Sequence, residues 1–545
     1  MQSFDLLVIG GGINGAAIAA GAAARGLSVL LVEKEDLGSG TSAASSKLIH
    51  GGLRYLQHGE IGLVRESLRD RELLLRQRPH LVRPIELLIP VRADDPIPSW
   101  KLEAGLFLYD RLAGNSQLAR HRRLTREETL RREPHLNPTG LRGGFVYPDA
   151  QVVYPERLCV ELAREAAEAG AVVRTHTEVA GFRREGARVV GAWLRSAGAG
   201  CPAPGTEDGE PVSARLTINA AGPWVDAVRR LLGDPFAPLL GGTKGSHLVL
   251  RRPAAGPSGP LYAGARSDGR PFFILPWREM LLIGTTDMRY QGDPAEAATH
   301  SFEVDYLLTE TGELFPSAHL GEDEILYTYT GVRPLPASRD AEGRITRRHQ
   351  IVNHALDGID GLWSIVGGKL TTHRTLAEVT VDRAIRRLPW QRTERRGRVQ
   401  TAAPETLAVD LAALRRLAAS AAGGLGLEAE QIEHLVGLYG PRAPALLERV
   451  RRDPSLGERI CLRNPDIVAQ VEEAVQSEWA VTLVDLLLRR TGVGTSPCRG
   501  LDCVERAAQF MGRAAGWDET RRALEVRRYR ECIVRRFSSG LAGRS

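Results

Sequence analysis

Apolar residues recur along this chain in two rhythms, short continuous runs and runs in which they return every third or fourth position. The N-terminal part alternates the two. Residues 4–9 form a strand-length apolar run, 16–25 an Ala-rich helical stretch stopped by Gly26, and 27–32 a second apolar run. The spacing predicts an amphipathic helix over 61–78, a strand over 87–91 and a helix over 100–112 with a wide, aromatic-rich apolar face. Strands over 145–147, 171–175 and 189–194 flank or follow a proline-led helix at 155–170. Between 239 and 290 the rhythm changes: KGSHLVL, RPFFILPW and MLLIGTTD are apolar runs separated by turns, an antiparallel pattern. A helix is expected over 302–315, a strand over 362–366 and a helix to about 388. From 406 to 537 the rhythm is helical throughout, which predicts a separate all-α domain. Residues 391–405 read as a linker, 196–212 as a surface hairpin tip and 538–545 as a disordered tail.

The opening carries the most specific signal. The first apolar run leads into Gly10-x-Gly12-x-x-Gly15, then the helix, then a second run ending in Glu33, 18 residues past Gly15. Gly10 permits the tight turn, Gly12 lets a backbone approach a pyrophosphate, and Gly15 allows close helix–strand packing. The helix N-terminus offers free N–H groups to phosphate, and Glu33 can accept hydrogen bonds from an adenosine ribose. An acid there favours an unphosphorylated ribose, so FAD or NAD over NADP, without choosing between those two.

Composition narrows the class. No apolar run reaches the ~18–20 residues needed to span a bilayer, and the N-terminus lacks the pattern of a secretory signal. The six cysteines form no CxxC, which suits a reducing compartment and argues against a disulfide framework, a zinc ribbon or an iron–sulfur cluster. A net charge of +6 suits an anionic substrate or an anionic membrane face, and no nucleic-acid motif accompanies it. The aromatic helix over 100–112 is followed by seven basic side chains, six arginines and His121, within residues 120–132. Together they read either as an interfacial membrane anchor or as a core helix followed by a solvated arginine-rich one.

Candidate chemistry clusters in three further places. Residues 38–60 hold small hydroxyl residues and then Gly51-Gly52, a corner from which His50, Arg54 and Tyr55 project. The strand ending at Asn219 turns through Ala220, Ala221 and Gly222, as a nucleotide-binding sheet does where a cofactor crosses its edge. The 362–366 strand ends in Gly367-Gly368-Lys369 before a helix, a second N-terminus able to face a polar cofactor edge.

Gly10–Gly15, Thr41–Tyr55 (TSAASSKLIHGGLRY), Lys244–His247, Ile283–Asp287, Gly331–Leu335 (GVRPL), Gly367–Thr372 (GGKLTT) and 479–491 (WAVTLVDLLLRRT) resemble, in order, the FAD-dependent respiratory glycerol-3-phosphate dehydrogenases. The resemblance implies an α/β fold: a glutathione-reductase-type Rossmann domain (about 1–80, 150–235 and 360–388 within 1–390), an antiparallel-sheet cap (about 81–149 and 236–359) and a helical domain at 406–537. It implies oxidation of sn-glycerol 3-phosphate to dihydroxyacetone phosphate, with electrons passing to membrane quinone. It places the protein in the cytoplasm, peripheral on the inner membrane face, and leaves a homodimer open. FAD would be held by Gly10, Gly12, Asn14, Gly15, Glu33, Thr41, Ser42, Ser45, Ser46, Lys47, Gly222, Gly367, Gly368, Lys369, Leu370 and Thr371. Arg54 and Arg333 would clamp the phosphate, and Tyr55, His247, Thr285 and Lys369 would surround the three-carbon unit.

The reaction asks for these types on its own account. A phosphate dianion calls for planar, always-charged forks. Hydride leaves C2 only if the C2 hydroxyl loses a proton, so a base is needed; His247 is the first candidate and His50 the second. Lys369 can stabilise negative charge on a reduced flavin. No EF-hand loop appears, which argues against a calcium switch. No insertion interrupts the cap, which argues against an oxidase that uses dioxygen, the main alternative. An amino-acid oxidase and a non-enzymatic basic scaffold are the other two.

Overall fold

The computed structural model describes residues 2–196, 209–233, 236–340, 345–388 and 408–537; the core of the predicted hairpin tip (197–208), the linker and the C-terminal tail lie outside them. The strand Gln2–Ile9 occupies the middle of a parallel sheet, with Leu7 opposite Thr217 on one side and Leu30 on the other. The order across that sheet is Gln350–Asn353, Leu362–Val366, Glu210–Asn219, Gln2–Ile9, Val29–Val32, Val172–Arg174. Only the Gln350 strand of the six runs antiparallel to its neighbour.

Successive strands therefore leave the first one in opposite directions, and the crevice at their carboxyl ends is where an open α/β sheet accepts its ligand. The helices Ile13–Ala24, Pro155–Glu168 and His373–Arg387 cover one face. Ala16, Ala19, Ala22 and Ala23 are buried there, and their small side chains let the helix lie close on strand and neighbours. The hairpin of Thr177–Glu185 and Arg188–Ser196 covers the other face, packing Ala192 and Leu194 over Leu7 and Leu30.

The region read as antiparallel is larger than the sequence indicated. Among the described residues ten strands form one sheet, in which Thr243–Arg251 pairs with Met280–Gly284 on one side and Ile325–Arg333 on the other. Val82–Arg92 and Leu141–Val152 join it through Leu261–Gly264. The basic stretch after residue 119 is neither a single helix nor a free arm. Arg122–Leu124 adds a short strand to Leu141–Val152, and Thr125 and Glu128 then form a capping box for the helix Arg126–Arg132.

The helical C-terminal region is only partly an independent unit. Leu414, Leu435, Leu446 and Val450 make a small core of their own. Leu486, Val504, Met511, Tyr529 and Phe537 instead share one core with Val249, Trp277 and Tyr327 of the antiparallel sheet. Buried ion pairs lock it to the parallel-sheet domain as well. Arg490 grips Asp36 through two bonds of 2.7 and 2.8 Å, Arg489 bonds the same carboxylate, and Arg157 pairs with Glu478 at 2.7 and 2.9 Å. Paired, bidentate geometry is what makes such dry charges tolerable. Asp36 lies three residues after Glu33, and Arg536 donates to Ser39 O at 3.0 Å. The helical region thus holds the loop that crosses the crevice.

Candidate active site

Two cavities run end to end from the crevice into the space between the sheets. The first, of about 370 Å³, lies at the carboxyl ends of the parallel strands and is lined by Gly10, Gly12, Asn14, Glu33, Thr41, Ser42, Gly222 and Gly367 among others. Its glycines differ in their duties. Gly10 has φ +105°, and a Cβ on it would stand 2.7 Å from Ala220 O. A Cβ on Gly15 would stand 1.8 Å from Gly10 O, so this residue serves packing and does not line the cavity. A Cβ on Gly12 would meet only Ser42 Oγ, at 3.4 Å, and would otherwise point into the cavity.

Glu33 ends the second strand with each oxygen holding one backbone donor, Gly11 N–H at 2.6 Å and Glu35 N–H at 2.9 Å. Burial nevertheless raises its pKa. Asn14 Oδ1 is buried without a partner, beside Gly368.

Thr41, Ser45, Gly368, Lys369 and Leu370 line both cavities and form the passage between them. The second, of about 240 Å³, is bounded by His50, Arg54, Tyr55, His247, Arg270, Thr285, Asp287, Arg333, Arg347, Lys369 and Thr371. Charge sets it apart: among the described residues, three guanidinium groups besides Arg270 and one ammonium line a space with a single carboxylate, Asp287. Arg333 donates to Asp287 Oδ1 at 3.0 Å and to Thr285 Oγ1 at 3.0 Å, and Arg347 reaches Asp287 Oδ2 at 3.4 Å. Arg54 makes no hydrogen bond or ion pair among the described residues.

The crowding shows in the proton affinities. Burial, then Arg347, pushes Lys369 down to about 7. Burial pushes Arg333 down to about 10 even with Asp287 beside it. Burial would raise Asp287, but Arg333 and Arg347 outweigh it and hold the carboxyl below its ordinary value. Lys369 Nζ sits 3.0 Å from Ser67 Oγ and 3.8 Å from the centre of the Tyr55 ring.

Burial and the surrounding cations hold both histidines below the ordinary imidazole value. Burial, then Arg333 and Lys47, lowers His247 well below the ordinary imidazole value. Burial, Lys369 and Arg347 push His50 down to about 3. His247 is stacked on Tyr329 with ring centres 4.7 Å apart; its Nε2 lies 2.9 Å from Ser46 Oγ and its Nδ1 is buried without a partner.

A family model described as an FAD dependent oxidoreductase matches residues 5–383, and a second, described as the C-terminal domain of alpha-glycerophosphate oxidase, matches 400–522. A protein named glycerol-3-phosphate dehydrogenase from Synechocystis is 39% identical over 97% of this chain and 96% of its own. The chain belongs to the FAD-dependent glycerol-3-phosphate dehydrogenase family. A relative of that name from Pseudomonas tolaasii is 37% identical, covering 90% of this chain and 92% of its own. The solved glycerol-3-phosphate dehydrogenase from Bacillus halodurans, complexed with FAD, superposes with a TM-score of 0.77 at 27% identity over 100% of this chain and 97% of that one.

FAD is this family's cofactor, and the first cavity fits it. A side chain on Gly12 would fill space a pyrophosphate needs, Glu33 lines the cavity at the end of the second strand, and the unpartnered Asn14 oxygen lies beside Gly368. Ser46 and Thr371 line the second cavity instead of the first, at its passage end, and Thr371 Oγ1 accepts from His50 N–H at 3.1 Å. Lys47 departs from expectation and lines neither. Its side chain turns into a separate pocket, 3.6 Å from Glu156 and 4.5 Å from the centre of the Trp277 ring. The reason is backbone direction: Lys47 begins the turn into the short strand Leu48–Ile49 with φ +57°, which aims it at the antiparallel sheet.

Arg347, Asp287 and Arg270 were not singled out from the sequence. Arg347 stands in an unpatterned TRRHQ stretch, where an arginine doublet is ordinary. Another missed group holds the Gly51-Gly52 corner: Asp149 accepts from Gly51 N–H, Tyr109 OH and Arg71, all buried.

Proposed function

We propose that this protein oxidises sn-glycerol 3-phosphate to dihydroxyacetone phosphate and hands the electrons to membrane quinone. The observation that carries this reading is the convergence of Arg54, Arg333, Arg347 and Lys369 on one cavity that opens onto the cofactor crevice and also presents two histidines of lowered pKa. The names of the full-length relatives support the same substrate.

Arg54 is the arginine free to take the phosphate directly, with Arg333 as its opposite jaw. Asp287 holds Arg333 in place, so the fork is oriented before substrate arrives. A bound dianion offsets the cationic field that depresses the imidazoles, so their proton affinity rises when it is needed. His247 then accepts the C2 hydroxyl proton, with Ser46 and the Tyr329 ring fixing the orientation of the imidazole; His50 is the second candidate. Bound FAD supplies the hydride acceptor. Lys369, at the passage between the cavities, offers positive charge to its polar edge.

Among the described residues no helix is long and apolar enough to cross a membrane. The helix Ser99–Ala113 supports a peripheral attachment on an anionic inner face: Trp100 and Phe107 are 65% and 61% exposed, and Arg120, Arg122 and Arg123 are exposed beside them. Leu106 and Tyr109 of the same helix pack inward.

The match of the C-terminal region to an oxidase domain keeps dioxygen as the rival acceptor. The test is the visible spectrum of the purified protein during anaerobic addition of glycerol 3-phosphate. Bleaching of the flavin bands is expected, followed by fast recovery with a short-chain quinone and slow recovery in air. No bleaching would remove the substrate assignment, and fast recovery in air with peroxide would make it an oxidase.

A further inference from the structure

The helical region gathers cysteines that lie far apart in sequence. Cys461 sits in the loop before the helix Ala469–Ser477, and Cys498 and Cys503 bracket the turn before the helix Val504–Ala515. The Sγ atoms of Cys461 and Cys503 and a carboxylate oxygen of Asp502 all lie within 4.8 Å of one another. Cys498 Sγ is 3.9 Å from Cys461 Sγ, and Asp502 Oδ1 is 3.7 Å from the same sulfur. A zinc ion bound about 2.3 Å from each sulfur in a tetrahedron sets those sulfurs about 3.8 Å apart. The Cys461–Cys498 and Cys461–Asp502 separations are close to two edges of such a tetrahedron, while Cys498 lies outside the mutual 4.8 Å grouping of the other three and would have to close on them when an ion binds.

The surroundings point the same way. Asn464 Nδ2, buried, donates to Cys461 Sγ at 3.2 Å and lies 3.6 Å from Cys498 Sγ, so an amide is aimed at the sulfurs where ligand-bound thiolates receive their supporting bonds. Arg463 Nε lies 3.4 Å from Asp502 Oδ2, which offsets the negative charge of a thiolate-rich site. Cys461 and Cys503 are buried while Asp502 reaches solvent, giving an ion a way in.

We propose that Cys461, Cys503 and Asp502, completed by Cys498, form a structural zinc site that pins the loop before Ala469 to the turn before Val504. Three soft sulfurs with one carboxylate select zinc over magnesium or calcium, and four protein ligands leave no open position for catalysis. Each thiol that binds releases its proton to solvent, and nothing is oxidised or reduced. Asn464 also accepts from Arg278, which donates to Gly492 O at 2.8 Å, so the site braces the seam between the helices and the antiparallel sheet.

The test uses the FAD-loaded full chain, purified under reducing conditions without chelator. Elemental analysis should find roughly one zinc per chain, lost in Cys461→Ser and in Cys503→Ser, with affinity at least ~10-fold weaker in Asp502→Asn. Cobalt exchanged into the unmodified protein should show thiolate charge-transfer and tetrahedral ligand-field bands, a readout that needs no variant to fold. Less than about a tenth of a zinc per chain after incubation with zinc, together with no cobalt bands, would overturn the proposal. So would a Cys461–Cys498 disulfide in the protein purified under argon.

Discussion

The cofactor crevice and the cationic cavity meet at Gly368 and Lys369, yet they are made by opposite means. The crevice is built on glycines, a helix N-terminus and Glu33 from the first 45 residues, completed by the segments 177–179, 220–231 and 367–370. The cavity is mostly side chain, and its cations come from around residues 54, 270, 333, 347 and 369. A backbone cradle is stable whether or not it is filled. A cluster of like charges opposes its own burial, as the lowered Lys369 and Arg333 show, and that unfavourable field becomes affinity when an anion enters. The difference separates binding by shape from binding by stored electrostatics, and it can be broken at several points.

The largest effect is expected at Gly12. Gly12→Val should abolish FAD binding while leaving the fold intact, because the new side chain would enter the cavity and not the protein. Gly15→Val should lose the fold as well, since even a Cβ would overlap Gly10 O. Flavin absorbance and thermal unfolding, measured together, separate the two. A yellow Gly12→Val protein would refute the cradle.

Arg54→Ala comes next. A charge-assisted hydrogen bond contributes roughly 1.5–3 kcal/mol, so kcat/KM for glycerol 3-phosphate should fall at least ~10-fold with FAD content unchanged. Arg333→Ala should fall further because it also strips Asp287 of its closest partner. Free glycerol, a poor substrate throughout, should lose little more in either variant. Normal KM values in both would mean the phosphate binds elsewhere.

A smaller effect follows from Lys369, whose pKa drops from an ordinary 10.5 to about 7. Between those two values the unfolded chain holds a proton that the folded cavity does not, so this group makes stability rise with pH across that window. Denaturation at pH 7 and pH 9 should show the rise, and Lys369→Met should flatten it. The protonated form is the one that attracts an anion, so KM should climb over the same window in the unmodified enzyme. A KM that stays level, or climbs equally in Lys369→Met, would remove this lysine from substrate binding.

The smallest effect is at the surface. Each exposed cation near an anionic bilayer contributes on the order of 1 kcal/mol and is screened by salt. Replacing Arg120, Arg122 and Arg123 with glutamate should lower quinone reduction in anionic vesicles but leave activity with a soluble dye intact. Equal loss with both acceptors would make the segment structural.

Legibility in the sequence followed the same division. The crevice was readable because its parts are local: strand, Gly10-x-Gly12-x-x-Gly15, helix and Glu33 each depend on residues a few positions away. The histidines and two arginines of the cavity were identified through motifs whose resemblance spans the chain. Arg347 escaped because it lies outside every motif, in a stretch where an arginine doublet is ordinary, and Asp287, though it ends the Ile283–Asp287 motif, was given no role there. Lys47 was misplaced because composition says a lysine is near the loop but not which way a left-handed backbone aims it.

What the sequence determined by itself was therefore the elements, the dinucleotide fold and the residue types in the site, all set by short-range periodicity and turn chemistry. Tertiary structure alone decided which side chains meet. It buried Leu106 and Tyr109 while exposing Trp100 and Phe107 on the same helix, because Tyr109 is drawn to Asp149 behind the Gly51 corner. It fused the helical region to the parallel-sheet domain through Arg489 and Arg490, each more than 450 positions along the chain from their partner Asp36. Contacts of that span are fixed by burial and ion pairing in the folded state, and no local rhythm encodes them.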